Sequence, residues 1–220
     1  MFNKSGNYSI GLVLTTFNRP EYLKQTLDCL KKSYLPAYTR LHIIDDCSNN
    51  MFTLKLINEF DLEGIEVKKT FKKENKGVWD SLRIGFDWCK EIECDIYCNI
   101  DSDLLLNKLW LTNLLNLHYE YNDSIITAFN PTNSVMYGTI KEVNGGYERS
   151  RICGANLFFG KDIYKYILKA LEFEEIWDIE LNNVAKKVRF ISTRPSLIQH
   201  IGNSSSMGHG MPARAKDFLE

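Results

Sequence analysis

The stretch Asp95-Ile96-Tyr97-Cys98-Asn99-Ile100-Asp101-Ser102-Asp103-Leu104-Leu105-Leu106 decides the reading of this chain. An apolar run ends in two carboxylates one residue apart, and three leucines follow. The run from Ile96 to Ile100 reads as a buried strand. Ionised carboxylates in a poorly hydrated crevice need a cation or several donors beside them. Carboxylate oxygens are hard ligands that suit Mg²⁺ or Mn²⁺, and such ions are often shared with phosphates of a ligand. Side chains at the strand end are expected to diverge. Asp103 is then the direct metal ligand, and Asp101 faces a ribose or a metal-bound water.

Upstream, three more strands alternate with helices. Ile10 to Leu14 is a short apolar run closed by Thr15-Thr16-Phe17-Asn18-Arg19-Pro20. Pro20 suits the first turn of a helix and Asn18 its cap. Leu23, Leu27 and Leu30 then recur at helical spacing. Leu41 to Ile44 forms the second strand, ended by Asp45-Asp46, and a short helix spans Phe52 to Phe60. Ile65 to Thr70 forms the third, followed by the turn Asn75-Lys76-Gly77 and a helix bearing Leu82, Phe86 and Cys89. Alternation of this kind implies a mostly parallel central sheet with helices on both faces. Ligands of such sheets bind beyond the carboxyl ends of the strands. Thr15, Asp45-Asp46 and Asp101-Asp103 should therefore meet in one crevice.

Downstream the pattern is less regular. Trp110, Leu114, Leu117 and Tyr121 mark a helix, and Ile125 to Phe129 a strand. Asn144-Gly145-Gly146 is a turn between strands, and a smaller antiparallel element is expected in this half. Lys161 to Leu171 reads as helical, Leu181, Val184, Ala185 and Val188 mark the last helix, and Phe190-Ile191 and Leu197-Ile198 are short strands. The segment from Gly202 to Arg214 is rich in Gly and Ser, a composition that gives a mobile loop.

Length and charge narrow the classes. At 220 residues the chain is expected to form one domain, with a nucleotide-binding half at about 8–103, an acceptor half at about 104–202 and a flexible tail or lid at 203–220. Lys and Arg number 27 against 28 Asp and Glu, a balance that argues against a nucleic-acid partner. Met1 to Asn7 lacks the apolar core of a signal peptide, and no run approaches the roughly 20 apolar residues of a membrane span. The expectation is a cytoplasmic protein, with peripheral attachment at the inner face of a membrane as the alternative. The six cysteines show no zinc spacing and are read as reduced thiols.

Four motifs in order resemble those of the family 2 glycosyltransferases, whose fold is called GT-A. They are Leu14-Thr15-Thr16-Phe17-Asn18-Arg19-Pro20, Ile43-Ile44-Asp45-Asp46-Cys47-Ser48, Asn75-Lys76-Gly77 and Asn99-Ile100-Asp101-Ser102-Asp103. Cys47 stands where the family usually has glycine. The resemblance implies a Rossmann-like α/β domain that takes a sugar from a nucleotide diphosphate, with UDP the commonest nucleotide. It implies a metal, Mn²⁺ or Mg²⁺, held by Asp103, Asp101 and a late histidine matched by His200. It places Thr15, Thr16, Phe17, Asn18, Arg19, Asp45, Asp46, Asn75, Lys76, Gly77, Arg83, Asp101 and Ser102 at the nucleotide. Gly154-Ala155-Asn156-Leu157-Phe158-Phe159 resembles the acceptor-side loop and strand, and Asp178 aligns with the catalytic aspartate, with Trp177 replacing the usual glutamate. The implied outcome is inversion at the anomeric carbon, with a glycan or glycolipid hydroxyl as acceptor in surface polysaccharide synthesis.

Each residue also has a plainer reading. Asp46 would accept either from a base imide or only from turn amides, and Asp45 would support the loop. Asp178 is either a general base or a first-turn helix acid, with Glu175 and Glu180 as substitutes for the base. His200 competes with His209 for the metal. Arg83, with Lys72, Lys76 and Arg149 or Arg151, would reach phosphate or be merely solvated. Trp177 would form a sugar platform with Gly154 and Ala155, or fill a cleft wall. His42 and His118 fall within structural patterns. A sugar-1-phosphate nucleotidyltransferase is the rival enzyme, but the loop after the first strand is poor in the glycine that a triphosphate loop needs. A nucleotide-binding module without turnover is the non-enzyme alternative.

Overall fold

Residues 8–132, 138–202 and 214–218 are described in a computed structural model. His209 and nearly all of the glycine-rich segment lie outside those residues. The first four strands are β1 (Ile10–Thr16), β2 (Thr39–Asp45), β3 (Glu66–Phe71) and β4 (Ile96–Asp101), of which β3 is a charged, partly exposed edge strand and the others carry apolar runs. Helices α1 (Pro20–Lys32), α2 (Met51–Glu59) and α3 (Val78–Glu91) connect them. All neighbours among these four strands pair in parallel. Beyond β4 come β5 (Leu104–Leu106), α4 (Trp110–Glu120), β6 (Ser124–Thr127), and the hairpin of β7 (Thr139–Val143) and β8 (Gly146–Arg149). β9 (Phe158–Gly160), α5 (Tyr164–Leu171), α6 (Trp177–Val184), β10 (Arg189–Thr193) and β11 (Ile198–His200) complete the fold.

The large sheet runs β3-β2-β1-β4-β9-β6-β10-β8-β7. β9 lies antiparallel between β4 and β6, so β6 and β10 keep the direction of β4. A separate antiparallel pair joins β5 to β11. The alternation of side chains along the strands explains the two cores. Ile10, Leu12 and Leu14 of β1 face α1 and α4 with Leu23, Leu27 and Trp110, while Val13 faces α3, α5 and α6 with Phe86, Ile167 and Leu181. The sheet is thus covered on both faces, as the sequence predicts. The six cysteines are free thiols. Among the described residues no helix is long and apolar enough to cross a membrane.

Two buried histidines make this core sensitive to acid. His42 in β2 sets its Nε2 2.8 Å from Thr70 Oγ1 and packs edge-on to Trp88. Burial, helped by the charge of Lys68, lowers its pKa to about 4, and burial does the same for His118 in α4. The unfolded chain takes up these protons near the ordinary histidine pKa of about 6.5. Between the two values the unfolded state binds more protons, so stability falls as pH falls. Chemical denaturation should therefore show a loss of about 1–2 kcal/mol per histidine between pH 7 and pH 5. His118→Leu should remove close to half of that loss, and a slope unchanged by the substitution would contradict this account.

Candidate active site

Parallel register places the motifs side by side. Thr16 of β1 lies opposite Asp45 of β2, and Thr15 lies opposite Asp101 of β4. The loops beyond these strand ends then interlock through side chains. The Asn18 amide donates to Ser48 Oγ at 2.6 Å, and Asn18 Oδ1 accepts from the amides of Asn49 and Asn50 at 3.2 and 3.0 Å. Asn18 is therefore not the cap that the sequence suggests. It and Arg19 both adopt left-handed backbone, at φ 53° and 60°, and Arg19 holds the N-cap position with Pro20 behind it. The amides of the neighbouring loop outcompete those of the helix for the Asn18 carbonyl. Phe17, at the rim, is exposed.

The two acids after β2 divide their work. Asp46 accepts from the amides of Lys76 and Gly77 at 3.1 and 2.8 Å, and its Oδ1 pairs with Lys72 at 2.5 Å. Lys72 in turn meets Asp80 at 2.8 Å, and Asp80 meets Arg83. Burial pushes the Asp80 carboxyl up, but Lys72 and Arg83 more than offset this and leave it below its usual value. Asp46 thus hangs the Asn75-Lys76-Gly77 turn from β2, with Gly77 at φ 93° opening α3. Asp45 accepts from the Ser48 amide through Oδ2, while its Oδ1 is buried without a partner. Burial raises the Asp45 pKa, against the pull of the Ser48 bonds, and the charge of Asp46 adds to the rise.

The acidic pair converges. Asp101 ends β4, and the chain turns through Ser102 and Asp103 before β5 begins. This turn corrects the expected divergence, because Asp103 is no longer part of the same strand. Ligand atoms of Asp101, Asp103 and His200 all lie within 4.8 Å of one another. His200 arrives through β11, where it pairs opposite Leu104, next to Asp103. Its Nε2 is 3.3 Å from Asp103 Oδ1, and Arg19 Nη1 is 3.0 Å from Asp103 Oδ2. Gly202 closes the ring. A Cβ there would collide with Asp103 Oδ2 and the Arg19 guanidinium and sit 3.1 Å from His200 Cε1.

Electrostatics fit a cation. Burial pushes the Asp101 carboxyl well up, and the charges of Asp103 and Asp178 push it further, with Arg19 opposing. Burial lowers the His200 pKa, so the ring is held neutral; its Nδ1 is buried with no partner among the described residues. Two carboxylates and a neutral imidazole form an oxygen and nitrogen donor set suited to Mn²⁺.

The loop at Gly154-Ala155-Asn156 is stitched to β4. Asn99 donates to the Gly154 carbonyl at 2.7 Å and accepts from the Leu157 amide at 2.9 Å. Asn156 donates to the Asn99 carbonyl at 2.9 Å and accepts from the Ala128 amide at 3.0 Å. The Asp101 amide donates to Ala155 O at 3.2 Å. Trp177 is buried beneath this loop, and Asp178, in the first turn of α6, lies near enough for its charge to act on Asp101. Thr15, Thr16, Arg19, Asp45, Asp46, Asp101, Ser102, Asp103, Asp178 and His200 are thus gathered at one end of the sheet. Lys76 points outward to Glu74 and Arg83 is half exposed. Arg149 is buried away in a network with Ser192, Thr139 and Asn130. Sequence reasoning missed the stitching by Asn99 and Asn156; an amide inside an otherwise apolar strand was the available signal.

The model of the family described as glycosyl transferase family 2 matches residues 12–172, well over half of the chain. No curated protein matches. Among solved structures, TarS of S. aureus aligns with a TM-score of 0.68 at 14% identity, over 89% of this chain and 37% of that one. GalNAc-T7 with UDP, GalNAc and Mn²⁺ aligns at 0.69 and 13% identity, over 90% and 45%. The mannosyltransferase PcManGT from Pyrobaculum calidifontis, with GDP-Man and Mn²⁺, aligns at 0.64 and 13%, over 86% and 55%. The chain spans between about a third and just over half the length of these proteins.

The packing of Gly154 on α6 carries a prediction. A Cβ at Gly154 would lie 2.7 Å from the Trp177 ring and 3.0 Å from Asp178 Cβ. Gly154→Ala should cost about 1–3 kcal/mol by overpacking and shift Asp178 away from Asp101. Thermal unfolding and a turnover assay should fall together; an unaltered melting temperature would show that the loop yields instead.

Proposed function

The chain belongs to glycosyl transferase family 2, and on that premise we propose that it moves a glycosyl group from a nucleoside diphosphate sugar to an acceptor hydroxyl. The observation that carries this reading is the meeting of Asp101, Asp103 and His200 with Asp178 close by. Asp101, Asp103 and His200 would hold a divalent ion, with Mn²⁺ the better match to the donor set. Such an ion supplies charge neutralisation for a departing diphosphate. Asp45 Oδ1, a buried acceptor lacking a donor, suits the imide N–H of a uracil or the N1–H of a guanine. Asp46 then serves by holding the turn that borders the nucleotide. Phe17 offers an exposed ring at the same edge.

Asp178 acts as general base. The acceptor oxygen forms its bond to the anomeric carbon while its proton passes to the Asp178 carboxylate. The bond from that carbon to the diphosphate oxygen breaks, and the electron pair leaves with the nucleotide. One displacement of this kind inverts the configuration. The Gly154-Ala155 loop and the Trp177 beneath it form the wall on which the acceptor is positioned. A glycan or glycolipid hydroxyl is the acceptor class proposed. GalNAc-T7 is seen with UDP, TarS with UDP-GlcNAc or UDP, and PcManGT with GDP-Man, so both base classes belong in the first substrate screen.

The test is nucleotide release from UDP- and GDP-sugars with Mn²⁺ and an acceptor panel. Asp178→Asn should lower kcat by about 10²–10⁴-fold, the usual worth of a general base, and leave donor binding intact. Asp103→Ala should abolish the Mn²⁺-dependent part of donor binding. Full turnover by the Asp178→Asn enzyme would remove the base assignment.

A further inference from the structure

Arg19 occupies an unusual place in this cluster. It sits on left-handed backbone at φ 60°, a conformation disfavoured for a residue with a Cβ. The bonds from Asn18 to Ser48, Asn49 and Asn50 hold the preceding residue in the same region. The guanidinium lies over the Tyr22 ring at 4.6 Å and reaches Asp103 Oδ2 at 3.0 Å. Among the described residues only one side of the planar fork is engaged, because the buried Nη2 finds no acceptor there. The other Asp103 oxygen faces His200. Both oxygens of the central carboxylate are therefore already committed. The charge of Arg19 is felt by the other two members as well, opposing the rise at Asp101 and adding to the fall at His200.

We propose that Arg19 is a resident counter-cation that shares Asp103 with the divalent ion and yields that carboxylate when ion and nucleotide arrive together. This rests on the metal-dependent reading above and adds an order to it. A guanidinium and a divalent ion on one carboxylate repel each other, so Arg19 weakens binding of the ion alone. A diphosphate relieves the conflict, since its oxygens match the Arg19 fork, including the Nη2 that lacks an acceptor. Arg19 is a positioning residue here: it delays loading of the ion until the phosphate charge is present. By linkage, the nucleotide must strengthen ion binding by the same factor as the ion strengthens nucleotide binding.

Mn²⁺ binding to the full chain, read from the free-ion paramagnetic resonance signal with and without UDP and GDP, tests this directly. Arg19→Met keeps an apolar stem over Tyr22 and removes the charge. It should bind Mn²⁺ alone about fivefold more tightly, the size of one partly buried ion pair, and show a correspondingly smaller gain on adding nucleotide. Arg19→Lys, which keeps the charge, should stay near the wild type. Arg19→Gln repeats the comparison if the methionine variant unfolds. A variant without charge that binds the ion no more tightly, or a lysine variant that behaves like methionine, overturns the proposal while leaving the metal site standing. Undiminished binding to Asp103→Asn would overturn the site and the proposal with it.

Discussion

Three carboxylates, Asp101, Asp103 and Asp178, share one corner of the molecule, and their mutual repulsion is the constraint around which the site is built. Burial raises the cost, because charge in a poorly hydrated crevice is screened little. The fold answers by bringing Arg19 and a neutral His200 to Asp103 from opposite ends of the chain. Burial and the charges of Asp103 and Asp178 push the Asp101 carboxyl well up. A site with this imbalance is pre-set for added positive charge, and the donor set limits what kind of cation it accepts.

A second charge network lies one strand away and has the opposite character. Asp46, Lys72, Asp80 and Arg83 alternate in sign, and the Asp46 oxygens are further bound by two amides. Balanced and bonded, this network serves the architecture by fixing the turn that opens α3. The contrast separates the roles of the two acids after β2. Asp46 is consumed by its neighbours, whereas Asp45 keeps a buried oxygen in reserve. Neighbouring positions on one strand end thus differ in how fully their oxygens are bonded.

Much of this architecture is legible in the sequence. The alternation of apolar runs marks the four parallel strands nearly to their ends, and the strand-end rule places Thr15, Asp45 and Asp101 together. Register supplies the reason, since parallel neighbours finish side by side. The path of the chain between Asp101 and Asp103 is not legible, because a turn of two residues leaves no periodic trace. The Asn18 bonds are hidden for a related reason: a cap and an inter-loop clamp use the same residue type. The identity of Asp46 as a support depends on Lys72, which joins it only through the tertiary fold. β9, a three-residue strand, is foreshadowed only by the resemblance of Gly154 to Phe159 to a loop and strand, because so short an apolar run has no period of its own.

The two halves of the domain meet the site by different means. The first half is carried on long parallel strands, so its geometry follows from sheet register and is hard to alter locally. The second half reaches the site on short pieces: a loop at Gly154-Ala155, an eight-residue helix α6 and the 3-10 turn Glu174–Ile176 before it. The side-chain amides of Asn99 and Asn156 tie this loop to β4, alongside backbone bonds at Ala155 and Leu157. Around Asp178, Ile176 and Ile179 are exposed, and Glu174 and Glu175 stand at the solvent edge. Changes there would reshape what approaches Asp178 without disturbing the strand ends that hold Asp45 and Asp101. Sheet register thus fixes Asp45 and Asp101, whereas Asp178 is held on a short helix beside a loop.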